Sequence, residues 1–132
     1  MTKINNLKKQ WQKRVDITQY IYACLIKDFS PDEIKKDTLN YNLDANQIKI
    51  IEYYADNKKT IEQLFIDNLK QDWSWQRIAI IQKAIMIVAY CEYKVLQRAK
   101  AIAIDQALVT ADRYGQLKEK GFINAILDKI LK

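Results

Sequence analysis

The chain has 132 residues, of which 49% are hydrophobic, and it carries a net charge of +6 with only two glycines and one proline. This size suits one globular domain, and so little glycine and proline predicts long helices with short connections. The absence of histidine and of a glycine-rich phosphate loop argues against an enzyme. Cys24 and Cys91 are far apart and form no metal-binding motif, so we expect a reduced, cytoplasmic protein without metal or cofactor.

The first two helices are indicated by periodicity and by capping residues. Residues 4–27 carry one apolar stripe at steps of three and four, which predicts a long helix. Ser30, Pro31 and Glu33 have the spacing of a capping box with proline at the first helical position, so a short helix is expected to end at about Asp37. The stripe of the first helix consists of Ile4, Leu7, Trp11, Val15, Thr18, Tyr22 and Leu25.

A third helix begins near a second capping pattern. Asp44 is the expected N-cap and Gln47 stands three residues later. The helical pattern extends to Leu69, and "ADNKK" at 55–59 is its weakest stretch and a place where it can break. The segment "QDWSW" then forms a corner, in which Ser74 is expected to cap the next helix.

The second half of the chain contains the most hydrophobic helix. Residues 78–91 are polar only at Gln82 and Lys83, and fourteen residues are too few to span a bilayer. A helix that is apolar nearly all round belongs at the centre of a bundle. Two further helices are expected. One spans about 101–114 and is closed by Gly115 in the left-handed conformation, and the last runs from about Leu117 or Gly121 to Leu131. The predicted fold is therefore a single compact all-α bundle of six to seven helices.

Charge varies strongly along the chain. Residues 1–27 carry a net charge of +5, residues 28–72 carry −4, and residues 73–132 carry +5. If the fold brings the two basic ends together, they form one basic surface, for which a polyanion such as nucleic acid is the natural partner. The alternative is an ordinary lysine-rich, solvated exterior.

Three sequence blocks carry a resemblance to a known family. The blocks "WSWQRIAIIQKAIMIVAYCEY", "AIAIDQALVTADRYG" and "GFINAILDKIL" resemble, in order and spacing, the C-terminal half of the NusB transcription antitermination factors. The last block is the most specific. Residues 8–26 match more loosely, with lysines where the family has an arginine-rich motif and with Arg14 and Tyr22 in place. The residues of the last block that match are Phe122, Asn124, Leu127, Asp128 and Lys129.

The resemblance implies two small helical subdomains, at about 1–72 and 73–132, and no catalysis. It also implies binding to single-stranded boxA-type leader RNA together with NusE, a small-subunit ribosomal protein. In this role the two proteins join the antitermination complex on RNA polymerase and support ribosomal RNA transcription. The residues we expect to contact RNA are Lys8, Lys9, Lys13, Arg14, Tyr22, Gln82, Lys83, Lys120 and Phe122.

Each aromatic and polar candidate has a structural alternative. Phe122 either stacks an unpaired base, as proteins commonly do with single-stranded RNA, or packs at the rim against the helix at 101–114. Tyr22 has the same two options, and the basic residues either contact phosphate or are merely solvated. Gln82 and Lys83 must reach an exposed edge or be satisfied inside. For Trp73 and Trp75, packing between the subdomains is favoured over base stacking.

Two alternatives to the RNA-binding function remain open. The first is a protein–protein adaptor that keeps the fold without specific RNA recognition, which the replacement of arginine by lysine suggests, since lysine lacks the planar fork that grips phosphate. The second is the helical domain of an RNA methyltransferase, because similar domains occur fused to such enzymes. With 132 residues, the chain leaves no room for an additional α/β domain that binds a cofactor.

Overall fold

The computed structural model describes the backbone of residues 3–132 and the side chains of residues 10–132, and this part of the chain is helical without any strand. The predicted all-α bundle is confirmed, and short 3-10 turns precede α5 and α7. The helices are α1 (Lys3–Ile26), α2 (Pro31–Asp37), α3 (Ala45–Asp56), α4 (Lys58–Asp67), α5 (Ile80–Leu96), α6 (Lys100–Arg113) and α7 (Lys120–Ile130).

Helix α5 is the centre of the bundle. It packs against α1, α3, α6 and α7, and residues 84–92 are buried without interruption. A single hydrophobic cluster extends from α1 through α5 to α7 and draws residues from both halves of the chain. The expectation of a central helix is confirmed, while the division into subdomains at 72 and 73 stays a prediction.

The predicted capping boxes are present. The side chain of Ser30 accepts a hydrogen bond from the backbone N–H of Glu33, and the Glu33 carboxylate accepts one from the backbone N–H of Ser30. Asp44 and Gln47 make the same reciprocal pair at the start of α3. The weak stretch is a true break, because Asn57 separates α3 from α4.

The cap predicted at Ser74 is absent. The Ser74 hydroxyl donates to the side-chain oxygen of Gln76 and makes no capping bond. The chain forms a 3-10 turn over Trp75–Arg77 before it enters α5, so the helix begins at Ile80, too far along for Ser74 to reach its first amides.

The buried face of α1 is rotated from the predicted stripe. Val15 and Thr18 are buried as expected, but Trp11 is half-buried and Tyr22 is exposed. The buried face contains apolar residues that the predicted stripe left out, and it also buries an arginine, which periodicity of apolar residues cannot detect. The predicted Ile4 and Leu7 lie outside the described side chains, and the residues that complete the buried face are Arg14, Ile17, Tyr20, Ile21 and Cys24.

The two glycines provide a matched test of backbone conformation. Gly115 has φ of +72°, as predicted after α6, whereas Gly121 lies in the first turn of α7, and a Cβ at either position meets no atom within 4 Å. Gly115→Ala should lower the free energy of unfolding by about 1–2 kcal/mol, because an L-residue is strained in the left-handed region. Gly121→Ala should raise it by up to about 1 kcal/mol, because alanine loses less backbone entropy in a helix. Urea denaturation of both variants measures the difference, and equal effects would contradict it.

Candidate nucleic-acid interface

Arg14 is an interior residue, which corrects its predicted role as a phosphate ligand. It is 8% exposed, and its Nε and one terminal nitrogen donate to the Glu92 carboxylate at 2.8 and 3.2 Å. The other terminal nitrogen donates to Oε1 of Gln106 at 2.8 Å. Arg98 approaches the same carboxylate, at 3.5 Å. The guanidinium fork of Arg14 therefore joins α1 to α5 and α6 and is not free to bind phosphate.

Gln82 is also turned inward. It is 8% exposed and donates through Nε2 to Oε1 of Gln116 at 2.8 Å, which connects the start of α5 to the loop after α6. Of the two options for Gln82, the structure shows the internal one, so its predicted contact with RNA is not supported.

Lys83 is half-buried against an aromatic ring. Its ammonium lies 5.0 Å from the ring centre of Trp75, a cation–π distance, and burial lowers the pKa of Lys83 from its ordinary value. Trp75 is itself buried and stacks on Phe65 of α4, with ring centres 5.4 Å apart, as expected for a packing tryptophan. Only part of the Lys83 side chain is thus accessible to a ligand.

Lys13 and Tyr22 lie on α1 but do not share a surface. Nine residues of a helix correspond to two and a half turns, so the two side chains project on opposite sides. The Lys13 ammonium pairs with Asp44 at 2.7 Å, and this pair, followed by the backbone N–H of Gln47, lowers the pKa of the Asp44 carboxyl. Tyr22 is 38% exposed. Lys8 and Lys9, the remaining cations predicted on this helix, lie outside the described side chains.

A cation that the sequence analysis missed stands near the end of α6. The guanidinium carbon of Arg113 lies 4.6 Å from the ring centre of Trp11, so the two form a cation–π pair between α1 and α6. Trp11 is eleven residues before Tyr22, which places both near one face of α1. The predicted Lys120 lies close by in sequence and pairs with Asp112 at 3.0 Å. Arg113 thus links α6 to α1 at a surface position.

Phe122 lies in the first turn of α7, on the side of the helix opposite Lys120. Two helical residues turn by about 200°, so Lys120 faces α6 while Phe122 faces the segment between α4 and α5. Phe122 is half-buried, and its ring is stacked on Trp73 at 4.8 Å between centres with an angle of 11° between planes. It therefore packs at the rim, but its aromatic partner is Trp73 and not a residue of α6.

Trp73 corrects a second expectation. It is 44% exposed and stacks on Phe122, whereas Trp75 is buried against Phe65. Beside the stacked pair is a groove of about 250 Å³ between the end of α4 and α7. The sequence showed two tryptophans close together in "QDWSW", but helical periodicity could not tell which of them is buried and which is exposed. The residues that line the groove are Asn68, Leu69, Lys70, Trp73, Gly121, Phe122, Ala125, Ile126 and Lys129.

The described residues offer little for other kinds of chemistry. Both cysteines are buried and free, and burial raises the pKa of the Cys24 thiol to about 12, which disfavours the nucleophilic thiolate. Within the side chains that the structure describes, no group of three metal-ligating residues comes together. Among the described helices, none combines the length and the apolar character needed to cross a membrane.

The sequence profile of the NusB family matches residues 11–132, which includes the Phe122 block and all of the groove. The chain belongs to the NusB family. A transcription antitermination protein NusB of Bacillus mycoides is 28% identical over 106 residues, covering 78% of this chain and 81% of that protein. The NusB of Clostridium tetani is also 28% identical, covering 98% of this chain and 81% of that protein.

Relatives from Mycoplasma genitalium share more of their full length with this chain. An uncharacterised protein of that organism is 28% identical and covers 97% of this chain and 95% of its own length. A solved structure of a conserved hypothetical protein from M. genitalium, described as structurally homologous to NusB proteins, has a TM-score of 0.68 at 26% identity and covers 84% of this chain and 90% of its own. The NusB fold is therefore shared, and family membership supports a role in transcription antitermination.

Two single variants, Arg14→Ala and Lys13→Ala, compare how much the interior cation and the surface cation each contribute to stability. Arg14→Ala should destabilise the fold by roughly 3–5 kcal/mol, because it leaves the Glu92 carboxylate buried without its main partner. Lys13→Ala removes an exposed ion pair and should cost at most about 1 kcal/mol. Chemical denaturation measures both values. A small loss of stability in Arg14→Ala, similar to that in Lys13→Ala, would show that Arg14 does not hold the helices together.

Proposed function

We propose that this NusB family member is a cytoplasmic, non-catalytic RNA-binding factor for transcription antitermination. Its ligand would be a single-stranded boxA-type leader RNA, bound together with NusE within the antitermination complex on RNA polymerase, in support of ribosomal RNA transcription. The observation that carries the proposal is the family match over residues 11–132, which includes the Phe122 block with its exposed Asn124, Asp128 and Lys129. The net charge of +6 is favourable for a polyanion.

The structure changes the set of residues that we propose for RNA contact. Arg14 and Gln82 are left out because their polar atoms are engaged inside the protein. Arg113 is added, since it is exposed and Trp11 of α1 holds its guanidinium at the surface. The proposed contacts are then Lys8, Lys9, Lys13, Tyr22, Lys83, Arg113, Lys120 and Phe122.

The adaptor function is the second candidate, and the interior position of Arg14 favours it. The one arginine in the first fifteen residues is bound to Glu92, so the cations left in that segment are lysines. Lysines act as point charges and select less strongly among phosphate geometries than arginines do. An adaptor would bind NusE without showing a preference for boxA-type RNA over other RNA of the same length.

A salt series distinguishes these functions. The affinity of the protein for a boxA-type RNA and for a scrambled RNA would be measured with and without NusE at several salt concentrations. We expect tighter binding to the boxA-type RNA and a negative slope of log K against log salt concentration, to which each phosphate contact contributes about −0.7. Equal affinity for both RNAs combined with NusE binding would favour the adaptor.

Two triple variants with the same loss of charge test where phosphate binds. Replacing Lys8, Lys9 and Lys13 with alanine should flatten the slope by up to about two units. The control replaces three exposed lysines of the acidic middle segment, Lys36, Lys49 and Lys59, and should leave the slope nearly unchanged. If both variants flatten the slope equally, binding depends on total charge, and the N-terminal lysines form no specific site.

A further inference from the structure

Trp73 exposes more of its ring to solvent than the family-matched phenylalanine beside it. It retains 44% of its accessible surface even though Phe122 is stacked parallel to it at 4.8 Å. The backbone N–H of Trp73 donates to the carbonyl of Lys70 at 2.9 Å, which forms a turn that holds the indole at the end of α4. The indole is therefore fixed at the surface by a backbone turn and by a stacked ring.

Phe122 is less suited to be the contact surface for a base. Its ring is half-buried, packs against the hydrophobic core and is covered by Trp73. A base that stacked directly on the covered face of Phe122 would have to displace the indole. The parallel arrangement instead makes Phe122 a support that fixes the plane of Trp73.

The surroundings of Trp73 have the charge that a nucleotide requires. Lys70 and Lys129 line the groove from opposite elements, one beyond the end of α4 and one on α7, and within the described part of the chain neither forms an ion pair. None of the residues that line the groove is acidic. An exposed aromatic face with cations beside it is the usual arrangement for binding single-stranded nucleic acid, in which bases stack and phosphates meet lysine.

We propose that Trp73 takes the place of Phe122 as the residue on which an unpaired RNA base stacks, that Phe122 supports the Trp73 ring, and that Lys70 and Lys129 neutralise the flanking phosphates. This inference rests on the proposed RNA-binding function and names a subsite within it. Because every base has a π-face, this subsite contributes affinity with little dependence on which base occupies it. The positive charge favours RNA over a purely apolar protein segment as the occupant of the groove.

Substitution of Trp73 tests the proposal, with Tyr41 as a matched control. Trp73→Ala should weaken binding of the boxA-type RNA by about 5- to 150-fold, and Trp73→Phe, which keeps a ring face, should bind close to wild type. Tyr41 is 48% exposed and lines a separate groove beside Asp16 and Gln19 of α1, so Tyr41→Ala should bind RNA like wild type. Denaturation midpoints establish that each variant is folded.

Fluorescence provides a readout that does not depend on affinity alone. In a protein with Trp11→Phe and Trp75→Phe, Trp73 is the remaining tryptophan. Addition of RNA should then quench its emission as a base stacks on the indole. In a separate binding experiment, Lys70→Ala combined with Lys129→Ala should flatten the slope of log K against log salt concentration by about 1.4 units. No quenching despite RNA binding would overturn the stacking role of Trp73.

The remaining outcomes separate the subsite from the function on which it depends. If the wild type binds no RNA at any salt concentration, with or without NusE, the proposed function fails and the subsite fails with it. If the wild type binds RNA and Trp73→Ala binds equally well, only the subsite is wrong. If Trp73→Ala keeps RNA affinity but loses NusE, the groove is a protein-docking surface, which also overturns the proposal.

Discussion

The burial of α5 on all sides is the constraint on which the rest of the structure depends. A helix with buried residues at every position from 84 to 92 needs neighbours around its whole circumference, and α1, α3, α6 and α7 supply them. The one charged group in that run is Glu92, which must be neutralised where it lies. Arg14 does this from α1, with Arg98 and Gln106 completing the polar cluster. The same interaction thus joins α1 to α5, with Arg14 on the buried face of α1.

The helices were predictable from sequence because their signals are local. Capping boxes at Ser30 and Asp44, the break at 55–59 and the left-handed Gly115 each depend on a few adjacent residues, and all are present. The apolar character of α5 likewise predicted its central position. Ser74 failed as a cap because a 3-10 turn intervenes, and the first residue of this turn, Trp75, stacks on the distant Phe65 of α4.

The candidate site was less predictable, because it depends on which charges find partners across the fold. Arg14 and Lys13 are adjacent and look equivalent in sequence, yet one pairs with a buried carboxylate on α5 and the other with an exposed one before α3. Gln82 is satisfied by Gln116, which is 34 residues away. Trp73 and Trp75 are two residues apart, and only their contacts with Phe122 and Phe65 distinguish the outer ring from the inner one. Neither the hydrophobic periodicity nor the spacing of motifs in the sequence indicates which distant residues these side chains contact.

How many of the four arginines are free to contact RNA affects how RNA would be recognised in the proposed function. Arg14 and Arg98 engage Glu92, so two of the four arginines are committed to contacts inside the protein, while Arg113 is exposed and lies over Trp11. Most of the positive surface is therefore lysine, which attracts phosphate through charge and imposes little geometry. Affinity from lysine falls as salt rises, whereas a base stacked on a fixed aromatic ring does not depend on counterion release. Retention of RNA at physiological salt would then depend on the aromatic contacts more than on the number of cations.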